Sequence, residues 1–174
     1  MKDKYGVVLV GCGYIGATHL DDIYYRENIS IVGVVDINEN AARLFARKYG
    51  AESWSTDYRD YLEKREVDIF IIATYTETHL EILNACISHG KNVLCEKPVA
   101  DTLEGSLKFV SAVRNAAESR VLVGHILRHN ESYKTIAQMI KRGAIGTPKV
   151  FRMAQNHNAV NWDRYKHLLT FCPP

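Results

Sequence analysis

The sequence predicts an α/β fold, a doubly wound parallel sheet followed by the start of a second α/β segment. Three observations carry that expectation. The mostly apolar runs Val7–Val10 and Val67–Ala73 lack alternation, as in strands covered on both faces. Strand-like runs alternate with stretches of helical spacing as far as Gly124. The first strand also runs straight into Gly11-Cys12-Gly13-Tyr14-Ile15-Gly16, a G-x-G-x-x-G bend that opens a helix.

The elements follow in order. The first helix is expected from Tyr14 to about Arg26, and the next strand from Ile29 to Val35, ending at Asp36. Asn38 suits an N-cap, and Ala41, Leu44, Phe45 and Lys48 mark a helix stopped by Gly50. Residues 51–54 form a short strand, and Thr56 caps a brief helix carrying Tyr58, Tyr61 and Leu62. After the Val67–Ala73 strand a helix runs from about Thr78 to His89, where Gly90 ends it. Asn92–Cys95 is a strand, with Glu96-Lys97-Pro98 as the turn at its carboxyl end. Thr102 caps a helix with Leu103, Leu107 and Val110 on one face, reaching about Ser119, and Val121–Gly124 is the following strand.

Beyond Gly124 the pattern changes. Glu131–Arg142 reads as a helix with Tyr133, Ile136 and Ile140 on one face, closed by Gly143. Thr147-Pro148 introduces an expected strand over 149–155, and a polar, aromatic tail ends in Phe171-Cys172-Pro173-Pro174. One helix, one strand and a tail bury too little to form a core of their own. The expected organisation is therefore residues 1–124 as one domain and 125–174 as the beginning of an incomplete second one.

Each glycine of the bend has a task. Gly11 permits the tight turn, Gly13 lets backbone approach a pyrophosphate, and Gly16 lets the helix pack close to the strand. The helix opening at Tyr14 and Ile15 then aims free N–H groups at the phosphates. Asp36 lies 20 residues past Gly16, where a dinucleotide site needs a carboxylate for the adenosine ribose. A carboxylate there repels the 2′-phosphate of NADP, so NAD is the expected cofactor, with NADP second; Arg43 is the one nearby cation able to swing over.

Composition excludes other classes. A net charge of +2 over 174 residues offers no basic surface for nucleic acid. No apolar run reaches membrane-spanning length, and the N-terminus enters the first strand without a leader, so a cytoplasmic protein is expected. The four cysteines form no C-x-x-C pair and read as structural thiols in a reducing compartment.

Several stretches together resemble one family. These are Gly11–Gly16 with Asp36, Ala73-Thr74-Tyr75-Thr76-Glu77-Thr78-His79, Cys95-Glu96-Lys97-Pro98, and Gly143-Ala144-Ile145-Gly146-Thr147-Pro148. In order and spacing they are similar to the glucose–fructose oxidoreductase, inositol dehydrogenase and rhizopine-catabolism (Gfo/Idh/MocA) superfamily, and Glu-Lys-Pro is the most specific piece. The resemblance implies a Rossmann domain joined to a C-terminal domain that carries the substrate site and most of the homo-oligomer contacts. It implies an NAD-dependent oxidoreductase acting on a sugar, inositol or related polyol. It also implies that this chain is the cofactor-binding fragment, inactive alone, because the family continues into a segment bearing an Asp and a His that handle substrate. Tyr75-Thr76 stand where family members often have Pro-Asn.

By that resemblance Lys97 is the catalytic and substrate-binding cation, with Glu96 orienting it. Thr74, Tyr75, His79, Glu96 and Lys97 join the glycine bend and Asp36 around the cofactor. Arg128 is a second substrate anchor. Spacing alone leaves simpler readings open: a surface Glu–Lys pair, a core or helix-surface histidine at 79, and tyrosines at 24, 25, 58 and 61 that cover helix faces. His125 and His129 are four apart and able to share a helix face, but no third ligand completes a site, and no metal is expected. The competing functions are a non-catalytic dinucleotide sensor and a module for another nucleotide such as S-adenosylmethionine.

Overall fold

The structure, a computed structural model, describes residues 4–116 and 118–154. Contacts divide the chain into two units, Met1–Leu127 and Arg128–Pro174. In the first unit the strands are β1 (Tyr5–Val10), β2 (Ile29–Val35), β3 (Ser53–Ser55), β4 (Val67–Ile72), β5 (Asn92–Cys95) and β6 (Val121–Val123). Helices α1 (Tyr14–Ile23), α2 (Glu39–Tyr49), α3 (Thr76–Ser88) and α4 (Leu103–Asn115) lie between them. The strands form one parallel sheet in the order β3-β2-β1-β4-β5-β6.

Burial explains why the strands read as unbroken apolar runs. Val7 and Leu9 pack with Leu20, Ile31, Val34 and Tyr49 on one side of the sheet. Val8 and Val10 pack with Phe70, Ile72, Leu83 and Phe109 on the other. A strand covered on both faces needs an apolar side chain at every position, so the period of two disappears.

The order of connection reverses between β1 and β4, which places the loops after these strands side by side. Gly11 N donates to Val35 O at 2.8 Å and Ala73 N donates to Val10 O at 2.8 Å, closing the sheet at that point.

Local signals set several element ends. Asn38 caps α2, its Oδ1 accepting from Asn40 N at 3.1 Å and Ala41 N at 3.3 Å, and Gly50 ends that helix at φ +66°. Thr102 caps α4 through Gly105 N at 3.0 Å.

Elsewhere the structure corrects the expectation. Helix α1 stops at Ile23, not Arg26, because Arg26 N turns back to Ile23 O and Ile29 N to Arg26 O, both at 3.0 Å, to start β2. The short third strand is Ser53–Ser55, in register with Gly33–Val35. Asp57, not Thr56, caps the 3-10 turn Tyr58–Tyr61, accepting from Arg59 N at 3.0 Å. Helix α3 begins at Thr76, so Thr78 sits inside its first turn.

On α2 the buried residues are Ala42, Ala46 and Tyr49, while Leu44 is 64% exposed. On α4 the inward residue is Phe109, at 2%, and Leu103, Leu107 and Val110 are exposed. Helical spacing identifies an apolar face, but which face meets the sheet is settled by the neighbours.

The second unit holds α5 (Glu131–Lys141), capped by Asn130 through Ser132 N at 3.0 Å. Gly143 follows it at φ +71°. The expected strand over 149–155 is absent across the described residues 149–154, and among the described residues no second strand pairs with that segment. Gln155 and the tail, Cys172 included, lie outside the described residues.

We predict that Phe70→Ala, at a site 0% exposed, lowers the unfolding free energy by about 3–5 kcal/mol. Leu44→Ala should change it by no more than about 0.5 kcal/mol, as for other exposed sites. Urea melts of the two variants check the contrast, and equal losses would contradict the assignment of the core.

Candidate functional site

The glycine bend follows β1 at the point of reversal. Gly11 has φ +101°, and a Cβ on it would lie 2.5 Å from Ala73 O. A Cβ on Gly16 would collide with the Gly11 carbonyl and press on Leu9 at 3.2 Å. Both glycines are therefore required by the fold. Gly13 is different: its φ is −90° and nothing lies within 4 Å of the position a Cβ would take. Packing gives no reason for a missing side chain there, whereas a ligand approaching the backbone does.

Gly13 is the N-cap of α1 and supplies no capping side chain, and the first turn holds no acidic residue. Helix geometry leaves the amides of Tyr14, Ile15 and Gly16 without intrahelical acceptors, since the first closed bond is Ala17 N to Gly13 O at 2.9 Å. Tyr14 is 75% exposed. Free amides at a helix start are groups from which an anion can accept.

Asp36 sits beside it. Its Oδ2 accepts from Cys12 N at 2.8 Å and its Oδ1 from Asn38 N at 2.8 Å, so one carboxylate joins the bend to the cap of α2. Each oxygen retains lone-pair capacity for a hydroxyl.

The β4 loop carries Thr74 and Tyr75. Thr78 Oγ1 donates to Tyr75 O at 2.9 Å and lies 2.7 Å from Thr74 Oγ1, whose hydroxyl is free to donate to it, while Tyr75 is 77% exposed. His79 is 1% exposed, with Nδ1 3.0 Å from Pro98 O and Nε2 3.1 Å from Thr74 O. It lies between the two loops, and as a neutral imidazole it donates to one of the two carbonyls and packs against the other.

The β5 turn is held from below. Glu96 is 9% exposed; its Oε1 lies 2.9 Å from His19 Nε2 and its Oε2 accepts from Lys97 N at 3.2 Å. Glu96 thus meets Lys97 at the backbone, not at the ammonium, and the following Lys97–Pro98 peptide is cis. The Lys97 side chain is exposed, and no hydrogen bond or ion pair holds its ammonium among the described residues.

His19 was missed by sequence reasoning. The available signal was its place three residues after Gly16, on the side of α1 that buries Gly16 and Leu20. Nothing in the sequence paired it with Glu96.

Arg128 belongs to the second unit, where it is exposed in the 3-10 turn Ile126–His129. His125 precedes that turn, so the helix face it was expected to share with His129 does not exist. Among the described residues no group of three or more His, Cys, Asp or Glu is placed to hold a metal ion. No helix among them is long and apolar enough to cross a membrane. Of the four tyrosines singled out, Tyr58 and Tyr61 are buried, while Tyr24 and Tyr25 lie exposed.

Fold and bend together define a doubly wound nucleotide-binding domain of the Rossmann type. Residues 5–125 match the GFO_IDH_MocA family, an oxidoreductase family with an NAD-binding Rossmann fold, and the chain belongs to that family. It is 33% identical over 157 residues to inositol 2-dehydrogenase 1 of Mycolicibacterium vanbaalenii, covering 89% of this chain and 46% of that protein. An NAD-binding oxidoreductase from Klebsiella pneumoniae superposes with TM-score 0.72 at 26% identity, over 82% of this chain and 40% of that one. Scyllo-inositol dehydrogenase from Lactobacillus casei, solved with NAD(H) and scyllo-inositol, shares the fold at TM-score 0.75 and 21% identity, over 82% and 42% of the two chains. The chain spans about half the length of the curated relatives it matches.

Among the described residues the three cysteines, Cys12, Cys86 and Cys95, are buried free thiols. Burial, then the Asp36 charge, pushes Cys12 up to about 12; burial does the same for Cys86 and Cys95, with Glu96 adding to the latter. We predict that iodoacetamide leaves all three unmodified in the native protein at pH 8, with no acceleration by pH 10. Each keeps its proton until about 12, whereas the unfolded chain gains thiolate through 9.0. Mass mapping of native labelling at any of the three would contradict this.

Proposed function

We propose that this chain is the NAD-binding part of an oxidoreductase that moves hydride between a carbon of inositol, a sugar or a related polyol and the nicotinamide. The amides of the bend at Gly11, Gly13, Tyr14, Ile15 and Gly16 would hold the diphosphate. Asp36 would accept from the ribose, and Thr74 and Tyr75 would border the nicotinamide. Bound NAD would supply the hydride acceptor.

The observation that carries the catalytic reading is Lys97. Its backbone is fixed through Glu96, yet its ammonium is exposed and uncommitted among the described residues. As hydride leaves the carbinol carbon, negative charge grows on its oxygen, and an ammonium held there stabilises it. Such a cation favours catalysis over a pure sensor, which has no evident need of it. The group that takes the hydroxyl proton is not assigned in this chain, and Arg128 is proposed as a substrate anchor from the second unit. The three buried free thiols suit a reducing compartment such as the cytoplasm.

NAD at a hundredfold excess over its Kd should raise the melting temperature of the chain on the order of 5–10 °C, with negligible polyol turnover by the chain alone. S-adenosylmethionine should give no shift; a flat response to NAD would end this reading. Asp36→Ala should lower NAD affinity about tenfold or more, the scale of losing a hydrogen bond to a charged acceptor, and lower NADP affinity less. Equal losses would remove the cofactor preference. Gly13→Ala should leave stability within about 0.5 kcal/mol while weakening NAD binding, and calorimetry showing wild-type affinity would place the diphosphate elsewhere.

A further inference from the structure

We propose that His19 is a positioning residue for Lys97, acting through Glu96, so that the helix opened by the glycine bend and the turn carrying the ammonium are held as one piece. What Lys97 does there rests on the oxidoreductase reading; the contact itself does not.

Glu96 is a carboxylate only 9% exposed, and a buried carboxylate requires hydrogen-bond partners. Among the described residues it has two: His19 Nε2 at 2.9 Å from Oε1 and Lys97 N at 3.2 Å from Oε2. Because an ionised carboxylate only accepts, the imidazole proton is assigned to Nε2. The pocket for the carboxylate is built into the sheet. A Cβ on Gly124, just past β6, would lie 2.6 Å from Glu96 Oε1, so the absence of a side chain at 124 makes the room. The Glu96 main chain is fixed separately, its N donating to Ile72 O at 2.9 Å.

On the far side of Lys97, His79 Nδ1 lies 3.0 Å from Pro98 O. Each neighbour of Lys97 therefore stands beside an imidazole from a different helix, His19 on α1 and His79 on α3. Of the two, His19 belongs to the helix that starts at Gly13. Without it, Glu96 would keep a desolvated charge with one partner fewer, and rotation toward water would free the Lys97 amide. A mere strut for the fold behaves otherwise: its loss loosens the sheet as a whole and leaves the turn no worse than its surroundings.

Amide hydrogen exchange on the chain separates the two. His19→Ala should speed exchange of the Lys97 amide about tenfold or more relative to that of Val93, whose bond to Arg120 O at 2.9 Å lies in the same stretch of chain. His19→Gln, whose side-chain amide still donates to Glu96, should restore the slow rate. Unchanged exchange at Lys97, equal acceleration at Val93, or no recovery with glutamine would overturn the proposal. NAD affinity by calorimetry should stay within about twofold in both variants, because the bend amides are untouched. In a protein extended by the second domain, kcat with myo-inositol should fall about tenfold in His19→Ala at unchanged KM and recover in His19→Gln, the signature of lost transition-state stabilisation. Absence of turnover by the extended protein without a substitution at 19 would defeat the oxidoreductase reading alone, and the exchange rates would still decide the role of His19.

Discussion

The closeness with which α1 approaches the ends of β1 and β4 is the constraint on which the remaining geometry depends. It is set by two missing side chains. A methyl group on Gly16 would meet the Gly11 carbonyl, and one on Gly11 would meet Ala73. With both absent, the helix start, the β4 loop and the carboxyl end of β2 converge. Only then does Cys12 N reach Asp36, and only then does the third residue after Gly16 reach the β5 turn. A helix displaced by the diameter of a methyl group would break these contacts together, since hydrogen bonds weaken over a few tenths of an ångström.

Much of this was legible in the sequence, for a physical reason. Parallel strands are apolar at every position, and G-x-G-x-x-G encodes backbone conformation, which is local. Thus β2 and β5 fall on the expected residues, and Asn38, Gly50 and Thr102 act at the ends assigned to them. What was not legible depends on partners distant in the chain. Leu103, Leu107 and Val110 have the spacing of a core face, yet Phe109 is the residue the sheet covers. Residues 149–154 have the composition of a strand but no neighbour to pair with among those described. His19 and Glu96 stand 77 residues apart, and no local pattern links them. Gly124 reads as the end of a strand, and the room it leaves for the Glu96 carboxylate appears only once the two are seen side by side.

Cofactor preference turns on which charge near the ribose is fixed. Arg43 lies 3.6 Å from Glu39 and 5.8 Å from the centre of the Trp54 ring, so it is directed toward those groups. Both members of the ion pair are about half exposed, however, and such pairs are worth no more than about 1 kcal/mol. Arg43 is thus biased away from a 2′-phosphate, not locked. Asp36 is the firmer element, because two backbone amides hold its oxygens and those amides belong to the fold. Any 2′-phosphate bound there meets a carboxylate that cannot withdraw without breaking the bend. That asymmetry supports the proposed preference for NAD.

Lys97 presents the complementary arrangement, a fixed backbone with a loose side chain. A lysine ammonium is strongly hydrated and hangs on four rotatable carbons, so ordering it is costly in entropy. In the proposed role, ordering the backbone beforehand would remove part of that cost as charge develops on a substrate oxygen, while the free ammonium would still adapt to hydroxyls in different orientations. Had Glu96 paired directly with the ammonium, its charge would have been compensated before any substrate arrived. The Glu96 carboxylate instead faces His19 and the Lys97 amide, which leaves the full positive charge outside and the negative charge beneath it, buried and occupied. The proposed catalytic cation therefore depends on a carboxylate that never needs to touch it.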